Sequence, residues 1–333
     1  MQSIIKIGTR ESELAVWQAT MVKNLLAENG FSAELVFVKS EGDIDLQTPL
    51  YEMGVQGIFT RSLDIALLNN KIDIAVHSMK DVPTQLPQGI VQAAVLKRGN
   101  YKDLFVINES LSQWSIVNSE NGKFQSEHET FLHSLKTSEL SPFTIHNSPV
   151  SIATSSIRRK AQWLHRYPQH SIDNLRGNVN TRMRKVAESN WHGAIFAAAG
   201  LERINLRPKN AIELEWMLPA PAQGAVIIVC RENETALLNA CAALNDKPTA
   251  TCTKIERDFL RELLGGCSTP ISALAQINAG EIYFRGSILS IDGKQKAAIE
   301  KNISLKDATG FGTLAAIELL KKGGQSIADG IRK

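Results

Sequence analysis

The chain is 333 residues long, which bounds it at about two or three domains of ordinary size. Hydrophobic residues make up 43% and charged residues 21%, the balance of a water-soluble globular protein. The net charge of +3 gives no basis for a nucleic-acid partner or a membrane-binding surface, and no apolar run approaches the ~20 residues that cross a bilayer. Cys230, Cys241, Cys252 and Cys267 are too sparse for a disulfide framework and form no CxxC pair for zinc. Lys6 and Arg10 lie near a start that lacks a long apolar core. The sequence therefore predicts no signal peptide, no metal site and a reducing, cytoplasmic setting.

Ile4 to Gly8 predicts a first strand, and Thr9-Arg10-Glu11-Ser12 a turn in which Ser12 caps the following helix. Leu14, Trp17, Met21 and Leu25 recur at helical spacing and are assigned to the core; Asn29-Gly30 closes the helix. Arg10 stands where a strand feeds a helix N-terminus, a favoured place to bind an anion. Ala33 to Val38 adds a second strand and completes a βαβ unit. The polar stretch from Ser40 to Gly57 is too long for a tight turn and predicts a mobile or functional loop. A helix over Thr60 to Leu68 leads into Ile72-Asp73-Ile74-Ala75-Val76, a run typical of parallel strands buried on both faces. Beyond it, His77-Ser78-Met79-Lys80-Asp81-Val82-Pro83-Thr84 sets hydrogen-bonding and charged side chains at a strand's carboxyl end, where open α/β sheets bind ligands. Ile90 to Leu96 predicts another strand.

Residues 108–149 are rich in Ser, Asn, Glu and His without periodicity and predict a surface insertion, partly disordered. Its His128, His133 and His146 match no metal-ligand spacing. A second α/β pattern starts at Val150: the strand Ser151-Ile152-Ala153, then the hydroxyls of Thr154-Ser155-Ser156, then Arg158 and Arg159 in a first helical turn. Cations there oppose the helix dipole, so a bound anion would explain them. Leu175-Arg176-Gly177-Asn178 and the helix bearing Arg182 repeat the theme, and the buried run Ala194 to Ala199 ends at Arg203. Arginine forks match carboxylates and phosphates bidentately, so the expected ligand carries several negative charges.

Leu218-Pro219-Ala220-Pro221-Ala222-Gln223-Gly224 predicts an interdomain hinge, followed by a strand from Ala225 to Cys230. Helices over Asn233 to Leu244 and Thr253 to Leu264 precede the turn Gly265-Gly266-Cys267-Ser268-Thr269-Pro270. Strands over 271–277, 282–291 and 297–303 and a helix over 309–321 predict a small α+β domain. Cys267, on its glycine turn, is reachable for covalent chemistry, whereas the other three cysteines are read as buried hydrophobes. No Cys-His-Asn arrangement is evident, which disfavours a thiol protease.

Together, IGTRESELAVWQ (7–18), DIAVHSMKDVPT (73–84), IATSSIRRKAQ (152–162), LRGNVNTR (175–182), AAAGLERI (197–204), APAQGAV (220–226) and GGCSTP (265–270) resemble the porphobilinogen deaminase family over nearly the whole chain. The resemblance implies an α/β protein of three domains: 1–98 with 224–244, then 103–218, then a small α+β domain over 248–333. The first two would be built like periplasmic binding proteins and joined by a hinge. It implies a hydroxymethylbilane synthase of heme biosynthesis, a monomer without nucleic-acid or membrane partners. Such an enzyme joins four porphobilinogen molecules head to tail with release of ammonia. It further implies a dipyrromethane cofactor tethered by a thioether to Cys267, with Asp81 as the catalytic carboxylate. Ser78, Lys80, Thr154, Ser156, Arg158 and Arg159 would hold the cofactor, and Arg10, Ser12, Gln18, Arg176, Arg182 and Arg203 the substrate. The chemistry agrees, because losing ammonia leaves a cationic azafulvene that one carboxylate can stabilise. The acetate and propionate of each pyrrole answer the arginine excess.

The chain departs from the family at Gly54-Val55-Gln56-Gly57, which lacks the usual second glycine and lysine, and at Glu41, where an arginine is frequent. Weaker lid contacts with carboxylates are expected. Ala222 replaces a usual glycine or valine-glycine step near the hinge, and the insertion over 108–149 is longer than common. Two other classes share a two-lobed fold. A non-catalytic solute-binding protein would need no reachable Cys267, and a LysR-type sensing domain would need an N-terminal helix-turn-helix where this chain starts with a strand.

Overall fold

The computed structural model describes residues 4–39, 60–111, 131, 134–136, 150–263 and 269–332. The first lobe is a five-stranded sheet in the order β2-β1-β3-β10-β4. Its strands are β1 (Ile5–Thr9), β2 (Ala33–Phe37), β3 (Ile74–Ser78), β4 (Ile90–Val95) and β10 (Val226–Arg231). β1 pairs in parallel with β2 and β3, whereas β10 runs antiparallel to β3 and β4. Helices α1 (Glu13–Glu28) and α2 (Arg61–Leu68) connect its strands.

The second lobe repeats the plan in the order β7-β6-β8-β5-β9. Here β6 (Ser151–Ala153) is parallel to β7 (Ser171–Asp173) and β8 (Gly193–Ala197), and β5 (Asp103–Ile107) is antiparallel to β8 and β9 (Ile212–Glu213). Its helices are α3 (Ile157–Arg166), α4 (Val179–Glu188) and α5 (Ala198–Glu202). Each lobe thus takes its antiparallel strand from just beyond a crossover, and two segments, 96–102 and 218–225, join the lobes.

The smaller third unit is an antiparallel sheet, β11 (Ile271–Asn278), β12 (Glu281–Leu289) and β13 (Lys296–Ser304). It packs on α7 (Lys247–Leu263) and α8 (Phe311–Leu319) through the edge-to-face rings of Phe259, Phe284 and Phe311. Helices α6 (Thr235–Ala242) and α9 (Gln325–Arg332) complete the description. This is the two-lobed α/β architecture with an α+β appendage that the sequence predicts. No helix among the described residues is long and apolar enough to cross a membrane.

Three local expectations need correction. On α1 the buried face runs through Ala15, Gln18, Ala19, Val22 and Leu26, one position round from the predicted stripe. Trp17 is 37% exposed, and the Arg203 guanidinium lies 5.7 Å from its ring centre. The indole meets Arg203 of the other lobe, while small Ala15 and Ala19 occupy the buried face of α1. In the expected surface insertion, Phe131 and Leu135 are instead buried among Phe105, Trp163 and Tyr167. Ser134 shares a hydrogen bond with the Tyr167 hydroxyl at 2.9 Å, so these residues belong to the second lobe's core. Finally, Ser12 occupies the N-cap position of α1, but its hydroxyl makes no capping hydrogen bond. Cys230, Cys241 and Cys252 are buried thiols as predicted.

The crossover is pinned by one carboxylate. Glu256 on α7 accepts from Arg98 Nη1 (2.6 Å) and Nη2 (3.0 Å), from the Ala222 N–H (2.6 Å) and from the Ala275 N–H (2.8 Å). A fully buried charge is tolerated only when paired and hydrogen-bonded in this way. Gly224 holds φ +86° there, and a Cβ on it would stand 2.8 Å from the Gly99 carbonyl oxygen.

Candidate active site

Open parallel sheets bind ligands outside the strand carboxyl ends, where the strand order reverses. In the first lobe that point lies between β1 and β3, which end at Thr9-Arg10 and at Ser78. In the second it lies between β6 and β8, and β6 delivers Thr154 to Arg159. β3 runs through His77 and Ser78, two residues further than predicted, and a 3-10 turn, Met79–Asp81, presents Lys80 and Asp81. Buried Met79 and Val82 anchor that turn below.

Lys80 lies within electrostatic reach of the second lobe. Burial first, then the guanidiniums of Arg159 and Arg158, lower its pKa to about 8 against the opposing pull of Asp81 and Asp103. By surface area Lys80 is half-buried, so solvent reaches part of the side chain and tempers this downward pull. Arg182 is lowered to about 10 by burial and by Arg159 and Arg176, with Asp81 countering. Asp81, Lys80, Arg158, Arg159, Arg176 and Arg182 therefore share one electrostatic environment. Cations outnumber carboxylates in it.

The second-lobe residues are held by local chemistry. Ser156 caps α3 by accepting from the Arg159 N–H at 3.4 Å, and Thr154 Oγ1 accepts from the Ser156 N–H at 3.3 Å. Asn178 caps α4 by accepting from the Thr181 N–H at 2.9 Å, and Arg182 Nε donates to the Gly177 carbonyl at 2.7 Å. The anion expected for Arg158 and Arg159 is supplied in part by the chain itself. Arg159 donates to Asp103 Oδ1 from Nε (3.0 Å) and Nη2 (2.7 Å), and Arg158 Nη2 lies 2.8 Å from Oδ2 as an ion pair without good hydrogen-bond angles. Desolvation pulls the Asp103 carboxyl upward, but the two guanidiniums and Gln223 hold it below the usual carboxylate range. Arg158 also donates to the Leu218 carbonyl, while its Nε is buried with no hydrogen-bond partner.

In the first lobe, buried Gln18 donates to Ser78 Oγ at 2.9 Å. His77 beside it is pushed to about 3 by burial and by Arg10, so its ring is neutral. Ser12 is half-buried at the start of α1. Arg203 stands apart: it donates to the Gly224 carbonyl at 2.7 Å and covers Trp17, at the crossover rather than with the other arginines. Across the cleft mouth Asn180 donates to Glu13 Oε2 at 2.7 Å. Cys267, Glu41, Gln56 and the three histidines at 128, 133 and 146 lie outside the described residues. Sequence reasoning passed over Asp103 and Gln223; the one signal for Asp103 was the demand of Arg158 and Arg159 for an anion.

A family model described as "Porphobilinogen deaminase, dipyromethane cofactor binding domain" matches residues 5–239, and "Porphobilinogen deaminase, C-terminal domain" matches 250–321. The chain belongs to the porphobilinogen deaminase family. Its activity is that of a hydroxymethylbilane synthase, a transferase that joins four porphobilinogen molecules head to tail with release of ammonia in tetrapyrrole biosynthesis. Its cofactor is dipyrromethane.

Among solved structures, the chain is similar to the methionine-binding protein MetQ at 13% identity, over 72% of this chain and 89% of that one, with a TM-score of 0.39. It is similar to the ancestral amino-acid-binding protein AncCDT-1, a precursor of cyclohexadienyl dehydratase, at 12% identity over 72% and 87%, TM-score 0.33. YhfZ from Shigella flexneri follows at 12% over 77% and 96%, TM-score 0.34. Likenesses this distant carry no argument, and the assignment rests on the family models.

The residues present fit a porphobilinogen deaminase's cofactor. Dipyrromethane is a polyanion, and the cleft combines surplus cations, a lysine lowered to about 8 by like charge and burial, and the unpartnered buried Arg158 Nε.

Proposed function

We propose that Asp81 is the catalytic carboxylate of this hydroxymethylbilane synthase, and that the cations around it hold the carboxylates of cofactor and substrate. One observation carries this reading: the turn that bears Lys80 and Asp81 at the end of β3 lies within electrostatic reach of the second lobe's cations, Lys80 with Arg159 and Arg158 and Asp81 with Arg182. As ammonia leaves a substrate molecule, positive charge spreads over the pyrrole. A fixed carboxylate stabilises that charge in the transition state more than in the neutral ring. Asp81 can also accept from pyrrole N–H groups and so orient a ring for attack.

Lys80, Ser78, Thr154, Ser156, Arg158 and Arg159 are assigned to the cofactor. Ser78 is oriented by Gln18, and Arg158 and Arg159 by Asp103. Arg10, Ser12, Arg176 and Arg182 are assigned to substrate carboxylates, with Gln18 acting through Ser78 and Arg203 acting from the crossover. When bound, dipyrromethane supplies the pyrrole to which the first substrate is joined. Cys267 is its thioether attachment point, and the protein works as a cytoplasmic monomer with domains 1–98 plus 224–244, 103–218 and 248–333.

Asp81→Ala tests the assignment. Loss of general acid and electrostatic help predicts kcat lower by about 10²–10⁴-fold with an unchanged circular dichroism spectrum. Turnover within a few-fold of wild type would overturn it.

A further inference from the structure

We propose that Arg257, on the third unit's long helix, is a positioning residue that holds the Asp81 turn in its working geometry. The inference rests on the reading of Asp81 as catalytic. Arg257 Nη1 donates to the carbonyls of Met79 (3.1 Å) and Val82 (2.9 Å), and Nη2 donates to the carbonyl of Pro83. Those three residues bracket Lys80 and Asp81 on both sides.

Met79 and Val82 are buried in the first lobe's core, and the Arg257 fork adds three hydrogen bonds to the backbone between and beyond them. Their segment is a single 3-10 turn, closed by one long bond from the Val82 N–H to the Met79 carbonyl at 3.3 Å and tied to β10 by the Met79 N–H. Such turns are weak, and Pro83 removes a donor that could have extended this one. The Val82 and Pro83 carbonyls follow the end of the turn, where backbone acceptors take partners from outside the helix, and the Met79 carbonyl gains a second donor beside its long bond from Val82. A planar guanidinium with a fork of donors can serve several carbonyls at once, which a lysine does poorly. The donor comes from α7, whose neighbouring Glu256 fixes the crossover and which runs on toward Cys267 in sequence. One helix thus ties the catalytic turn to the crossover. A displacement of about 1 Å at a reacting group costs about 10²-fold in rate, so the contact matters without touching substrate.

The experiment compares cofactor-bearing Arg257→Ala and Arg257→Lys with His165→Ala, which removes a different contact with the third unit, from His165 Nδ1 to the Gly293 carbonyl at 2.8 Å. Hydrogen exchange over residues 79–84 is read alongside kcat and KM. Arg257→Ala is expected to speed exchange in that segment alone and to lower kcat by about 10²-fold with KM nearly unchanged. Arg257→Lys is expected to recover part of both, and His165→Ala to resemble wild type in both. Wild-type exchange over 79–84 in either Arg257 variant would overturn the proposal, as would equal losses in His165→Ala. Should Arg257→Ala fail to fold, the lysine variant decides by the same two readouts. The exchange measurement does not depend on what Asp81 does, so failure of the catalytic assignment would appear separately, as an active Asp81→Ala enzyme.

Discussion

At Asp103 one buried carboxylate meets two guanidiniums, leaving a net positive charge at the head of α3. That residual charge, with Lys80 and Arg182, leaves an excess of cations beside the Asp81 turn. Removing the carboxylate should be severe, because an unpaired buried charge costs far more than a surface one. Asp103→Asn preserves shape but leaves both arginines uncompensated, and is expected to destabilise the second lobe by about 3–5 kcal/mol in denaturant unfolding. Unfolding indistinguishable from wild type would show that Arg158 and Arg159 find compensation elsewhere. The arginines themselves were legible in the sequence as cations in a helical first turn. Their partner was not, since nothing local links residue 103 to residue 158; the long-range pairing of β5 beside β8 brings them together.

At the scale of elements, the crossover shows strain at Ala222. Ala222 is buried and holds φ +61°, in the left-handed region, while its N–H is fixed on Glu256 at 2.6 Å. A left-handed non-glycine residue costs roughly 1–2 kcal/mol. Glycine would relieve this but lose about 0.8 kcal/mol of methyl burial and about 0.4–1 kcal/mol of chain entropy. Ala222→Gly is therefore expected to stay within about 1 kcal/mol of wild type, whereas Ala222→Val, with a branched Cβ at positive φ, loses more than about 2 kcal/mol. Equal stability of the two variants in denaturant titration would contradict the strain argument. Strands and helices with clear periodicity, such as β1, β2, α2 and β10, were readable from the sequence. The α1 face was misread because Ala15 and Ala19 carry weak hydrophobic signal yet lie on the buried face, while bulky Trp17 meets Arg203 of the other lobe. Strand β5 was missed because it is short and opens on a charged residue, Asp103, directly after Lys102.

In the whole molecule, two α/β lobes place their switch points face to face, and a third unit braces both. Gln162 of α3 donates to Ser272 Oγ at 3.0 Å, and Glu256 and Arg257 of α7 hold the crossover and the Asp81 turn. This arrangement was legible from ordered motifs and from the proline-rich crossover. The docking of the third unit was not, because single side chains such as Arg257 and Glu256 carry no pattern in sequence. The central claim is that this scaffold builds its own dipyrromethane on Cys267 and extends it. Its most direct test is the intact mass of the purified protein under denaturing conditions, with peptide mapping. An added mass of two linked pyrrole units on the Cys267 peptide, absent from Cys267→Ser, is the expected result. An unmodified chain after incubation with porphobilinogen, or an adduct on another residue, would contradict the account.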